Sequence, residues 1–199
     1  MNRLVGKILA PLTLIGALAA TPVAAQGTSV SASVGGFGGA EKAMQDIYGP
    51  MWKFRGTIDF ELSKSFRLEG GVSYMSKDGN PYTVGNVTGA KSNISFIQGE
   101  ALAIYTSSGS FATGRFGAGV VYTSITENLS GNFGGQSASA AGSVSGPGLV
   151  GLVGAELALG DKLSICSDLM FTYIPFQASD GSTVNLGGTS IDIGARIKF

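Results

Sequence analysis

Asp59, Glu61, Glu69, Glu100, Glu156, Asp168 and Asp192 share this chain with Arg55, Arg67, Arg115 and Arg196, and several of them recur at intervals of two. That interval sets side chains on one face of an extended strand, whereas it would scatter them around a helix. Crowded carboxylates are the usual equipment of general acid and base catalysis, because burial and like charges move their proton affinities. Here the rest of that equipment is missing. The chain contains no histidine, so nothing can take the middle place of a Ser-His-acid arrangement. Its one cysteine, Cys166, cannot form an internal disulfide, and without histidine it offers no ligand set for zinc. It reads as a small buried side chain. What remains for the mixed signs is ion pairing among groups withdrawn from water. The chain is therefore expected to be non-enzymatic, with no metal and no cofactor.

The elements that must position these charges are strands. From Met51 to Leu62, Trp52, Phe54, Ile58, Phe60 and Leu62 alternate with Lys53, Arg55, Thr57, Asp59 and Glu61, a period that no surface helix has. The alternation resumes with Phe66, Leu68, Val72 and Tyr74 against Arg67, Glu69, Ser73 and Met75. It ends the chain with Ile191, Ile193, Ala195, Ile197 and Phe199 against Asp192, Gly194, Arg196 and Lys198. Such a strand separates an oily environment from a charged one. Further strands at 28–38, 93–105, 111–122, 148–159 and 163–174 bring the expected number to eight. Brief turns at 63–65, 106–109 and 160–162 alternate with long segments at 39–50, 77–92, 124–147 and 175–188. The expected fold is all-β, an eight-stranded antiparallel up-and-down transmembrane β-barrel. Aromatic residues fall at both rims, as headgroup girdles do. Phe60, Phe66, Tyr105 and Phe199 lie near the short turns, and Trp52, Tyr74, Tyr122, Phe171 and Tyr173 near the long segments.

Eight strands enclose a lumen only wide enough to be filled by side chains or to hold one small ligand. The inward charges, with Lys53, Lys198 and Gln98 among them, are expected to meet one another as a polar plug. Pairing across Ser63-Lys64-Ser65 sets Leu62 against Phe66, Glu61 against Arg67 and Asp59 against Glu69. The last two repel, so Arg55, Arg67 or a cation from another strand must reach between them. A turn at 106–109 sets Glu100 against Arg115.

The amino terminus carries Arg3 and Lys7 ahead of an apolar stretch from Ile8 to Ala20, and Val23-Ala24-Ala25 has the small residues of a cleavage site. Residues 1–25 are read as a cleaved secretory signal and 26–199 as a single barrel domain. Cleavage removes two of the 13 basic residues and none of the 13 acidic ones, so the mature chain carries two more negative charges than positive. That balance excludes nucleic acid as a partner. The long segments are the natural seat of function if they face outwards. Among them, 124–147 is rich in Gly, Ser and Ala. It reads as a mobile solvated loop or, more sharply, as a recognition loop.

The signal, the strand layout and the terminal Ile197-Lys198-Phe199 together resemble the small eight-stranded outer-membrane barrels: OmpA-type transmembrane domains, OmpX-like proteins and opacity-type surface proteins. The resemblance spans the mature chain and includes no ligand motif. It implies a Gram-negative outer membrane, periplasmic termini, outer-membrane lipids as partners, and insertion by the barrel-assembly machinery, for which Phe199 would be the terminal recognition residue. Unlike full-length OmpA, the chain is expected to lack a following periplasmic domain. The expected function is a structural or surface-interaction barrel whose four long loops offer themselves to an extracellular ligand. A narrow passive channel for ions or small solutes is the alternative, and a soluble ligand-carrying barrel a third reading.

Overall fold

The computed structural model describes residues 27–84, 87–133, 136–178 and 181–199; the expected signal lies outside them. The strands are β1 (Thr28–Gly39), β2 (Met51–Ser63), β3 (Phe66–Asp78), β4 (Tyr82–Val84), β5 (Val87–Ser108), β6 (Thr113–Phe133), β7 (Gln136–Ala158), β8 (Leu163–Tyr173), β9 (Pro175–Gln177), β10 (Thr183–Asn185) and β11 (Gly188–Lys198). β1, β2, β3, β5, β6, β7, β8 and β11 pair in that order, each antiparallel to the next. β11 then returns to β1, from Ser29↔Lys198 to Gly39↔Gly188. The result is a closed eight-stranded antiparallel β-barrel. β4 is a short addition to β5, and β9 and β10 form a separate ribbon.

Period-two alternation decides which face of each strand meets the lumen. In β2, Met51, Lys53, Arg55, Thr57 and Asp59 are buried while Trp52 and Phe54 are 69% and 57% exposed. Charges inside and aromatics outside invert the arrangement of a water-soluble barrel. Phe66, Tyr105 and Phe199 face out near the short turns, and Trp52, Tyr74, Tyr122, Phe171 and Tyr173 near the other rim. No described helix is long and apolar enough to cross a membrane, so any crossing falls to these strands.

Three strands overrun the expected wall. β5, β6 and β7 contain 22, 21 and 23 residues, and β6 stays paired with β7 from Thr113↔Glu156 to Phe133↔Gln136. Segment 124–147, expected as a loop, is therefore almost wholly strand, and much of 77–92 likewise belongs to β3, β4 and β5. The apolar alternation disappears there because Ser, Thr, Asn, Ala and Gly occupy both faces, yet the backbone ladder needs no hydrophobic face to continue. Segment 39–50 contains a helix, α1 (Lys42–Tyr48), which places Met44, Ile47 and Tyr48 on one side. Gly49, at φ +60°, turns the chain out of it.

The interior is layered rather than uniformly charged. Near the long-segment rim, Phe37, Met51, Met75, Ile94, Phe96 and Ile125 pack beneath Met44 and Tyr48 of α1. A second apolar group, Leu102, Ile104, Val121, Val150, Leu152, Met170 and Ile174, is contributed by β5 to β8 and the residue after β8. The charges fill the remaining space toward the short turns.

Candidate functional site

β2, β3 and β11 bring most of the charges to the lumen because each places them on alternate residues of its inward face, and β5 to β8 add one each. Glu69 is the hub. Its carboxylate accepts from Arg55, from Arg115 at 2.6 Å and from Arg196 at 3.2 Å. Each arginine carries the network further. Arg55 also bonds Glu100; Arg115 holds Asp168 at 2.6 Å; Arg196 reaches Glu156 at 2.7 Å and Asp59 at 3.2 Å. Glu156 additionally meets Arg67 at 3.1 Å and Lys198 at 2.7 Å, and Arg67 meets Glu61 at 3.1 Å at the rim. Lys53 and Asp192 stand apart as a buried pair at 2.9 Å, with Ser190 Oγ also 2.9 Å from the ammonium. Gln98 bridges Ser73 and Thr123 through two 3.2 Å bonds.

Asp59 does oppose Glu69, and Glu61 opposes Arg67, across β2 and β3. The cation that separates the two carboxylates is Arg196, which arrives from β11 and stands 3.2 Å from both. A second opposed pair, Asp168↔Asp192, was not anticipated. Arg115 draws one of its carboxylates away and Lys53 the other.

Two pairings differ from expectation. Arg115 lies opposite Thr106, and Glu100 opposite Val121. The turn is formed by 109–112, closed by Gly109 N–H donating to the Ala112 carbonyl at 3.0 Å, so the ladder runs three residues beyond the expected turn and the register moves with it. Both side chains still point inward, but Glu100 is taken by Arg55. At the first hairpin a bulge between Glu61 and Ser63 sets Ser63, not Leu62, against Phe66.

Sequence reasoning missed the seats on which three carboxylates rest. Glu100 lies across from Gly71, Asp168 from Gly154 and Asp192 from Gly35. A Cβ on Gly71 would stand 2.7 Å from a Glu100 oxygen, and one on Gly154 or Gly35 would overlap the facing carboxylate. Glycine at an inward position of a strand is the signal that points to such close approach. The helix was also missed, although Met44, Ile47 and Tyr48 have helical spacing. Phe199 is remote from the charges: its ring is exposed, and its N–H donates to the Thr28 carbonyl at 2.8 Å, tying the chain end to β1.

Each carboxylate in this arrangement holds at least one cation, and the six cations and seven carboxylates together occupy the lumen. Neither a protein-family model nor a curated relative matches the sequence. Solved structures share its shape. Neisserial surface protein A aligns with a TM-score of 0.59 at 14% identity, over 87% of this chain and 97% of its own. Ail, the attachment invasion locus protein of Yersinia pestis, aligns at 0.55 and 11%, over 87% and 98%. The outer membrane protein OprG of Pseudomonas aeruginosa aligns at 0.60 and 13%, over 87% and 96%. The closed meander, its outward aromatics and these alignments agree that the chain has the fold of the small eight-stranded outer-membrane β-barrels.

Proposed function

We propose that this protein is a non-enzymatic outer-membrane barrel, sealed through its lumen, that works through what it projects beyond its wall. The observation carrying this reading is the continuous filling of the interior. Arg115, Arg196, Leu102, Ile104, Phe96 and Met75 are all fully buried, and α1 lies over the long-segment mouth. A passage for ions would have to open both a network of opposed charges and an apolar layer above it. The projecting parts of β5, β6 and β7 carry exposed hydroxyl and amide groups, among them Asn128, Ser130 and Ser139, and suit a structural or surface-interaction role.

In this reading the termini and the three short turns are periplasmic and the projecting strands extracellular. Outer-membrane lipids contact the apolar outer face. The barrel-assembly machinery inserts the chain, with Phe199 at the β1–β11 seam as its terminal recognition residue. An extracellular ligand of the projection accords with two structural neighbours, one named as a surface protein and the other as an attachment and invasion protein. Outer-membrane fractionation combined with an impermeant amine reagent on intact cells tests location and orientation. Lys42 and Lys77 are expected to react and Lys64 to be protected; the reverse pattern overturns the orientation. Planar-bilayer recording tests the seal, since a steady, reproducible conductance from the purified protein would replace it with a narrow passive channel.

A further inference from the structure

β7 pairs with β6 from Gln136 to Glu156 but with β8 only from Leu149↔Tyr173 to Ala158↔Ser164. Above Leu149, residues 136–148 are paired with β6 on one side and, among the described residues, with no strand on the other, although the short β9 comes close to β7. At about 3.4 Å per residue this is roughly 40 Å of open edge. Natural sheets blunt such edges with lysine, proline, bulges or inward charges. This one has little of that protection. No charged residue occurs between Glu127 and Glu156, and the one proline of the strand, Pro147, stands at its base. The ladder to β6 runs without a bulge, and residues 139–143 are exposed.

We propose that this free edge of β7 pairs antiparallel with the same edge of a second copy of the chain. Charge favours that occupant, because two uncharged edges meet without like charges in opposition. So does size: Ser139, Ala140, Ala141, Gly142 and Ser143 present nothing bulky to a second backbone. A two-fold pair uses the same residues from both chains and leaves neither edge open. Direction adds a consequence that rests on the orientation proposed above. β7 runs from the tip of the projection toward the barrel, so copies in one membrane present it in parallel, whereas copies in two facing membranes present it antiparallel, the more stable pairing. The edge therefore joins membranes that face each other.

The full chain reconstituted into phospholipid vesicles provides the test, with vesicle clustering followed by light scattering and pairing in detergent micelles followed by sedimentation. The native protein is expected to cluster vesicles and to sediment partly as dimers. Ala141→Lys with Ser143→Lys is expected to weaken dimerisation by about tenfold or more, equivalent to ~1.4 kcal/mol, Ala141→Pro to act similarly, and Ala141→Ser to behave as native. Heat-dependent gel mobility verifies that each barrel is folded. Failure of the native protein to dimerise, or folded Lys and Pro variants that dimerise as native, overturns the pairing. Ser143→Cys, made in a Cys166→Ser background, separates this from the orientation. If an impermeant maleimide fails to label it on intact cells while micellar dimers persist, the orientation falls and the edge pairing stands.

Discussion

Toward the short turns, the inward positions of the barrel carry Asp59, Glu69, Arg115, Glu156 and Arg196. Toward the long-segment rim they carry Phe37, Met51, Met75, Phe96 and Ile125. Both regions are closely filled, but they are held shut by different physics. Ion pairs are directional, and each member removed leaves a partner stranded in a poorly solvated interior. Apolar packing depends on volume, and trimmed volume is lost in small increments. The charged region should thus depend on single residues and the apolar region should not. Glu69→Leu tests this most severely, because it deprives Arg55, Arg115 and Arg196 of a shared acceptor. It is expected to cost about 3–5 kcal/mol, read as a lower urea midpoint for the refolded barrel in detergent micelles. A loss below about 1 kcal/mol would remove Glu69 from the centre of the network.

A milder intervention leaves every charge in place and changes only its seat. Gly71→Ala adds a methyl group 2.7 Å from a Glu100 oxygen and 3.1 Å from Thr57 Cγ2. Crowding of this kind costs about 1–3 kcal/mol. Shortening the acid should relieve it, so Gly71→Ala combined with Glu100→Asp is expected to lose less than the sum of the separate losses. Strict additivity in that double-mutant cycle would show that the glycine is not seating the carboxylate. In the apolar region, Ile125→Val is expected to cost only about 0.5–1.5 kcal/mol, although Ile125, like Glu69, is buried. The same urea titration checks it.

The contrast between regions also explains what could be read from the sequence. β2, β3 and β11 were legible because charged and apolar residues alternate along them, and the inward placement of Arg55, Asp59, Glu69 and Arg196 follows from that alternation alone. Partners were less legible. A side chain as long as arginine crosses a narrow lumen, so Arg196 meets Asp59 and Glu69 from a strand distant in sequence, and adjacent-strand pairing cannot anticipate it. Glu100 and Arg115 were mispaired because turn residues placed the hairpin three positions early. The second apolar group was overlooked because Leu102, Ile104, Val121 and Leu152 lie in strands that are apolar on both faces, where alternation carries no direction. The projection escaped notice for the opposite reason, being polar or small on both faces.

One chemical pair occurs in both a buried and an exposed setting, which isolates the environment from the residues. Lys53 and Asp192 are 2.9 Å apart with side chains 2% and 1% exposed; Lys42 and Asp46 are 2.8 Å apart with side chains 86% and 61% exposed. The distances are nearly equal, so geometry alone predicts similar contributions. Solvation predicts otherwise. Water already satisfies Lys42 and Asp46 when they separate, and holding two long side chains in one arrangement has its own entropic cost, leaving a helix pair of this spacing about 0.3–0.5 kcal/mol. Asp46→Asn is accordingly expected to leave the barrel's urea midpoint unchanged and to speed amide exchange only within α1. Asp192→Asn removes the charge facing a buried ammonium and belongs with the Glu69 variant in magnitude. If the two substitutions shifted the midpoint equally, burial would not be the source of the charged region's sensitivity, and its dependence on single residues would need another cause.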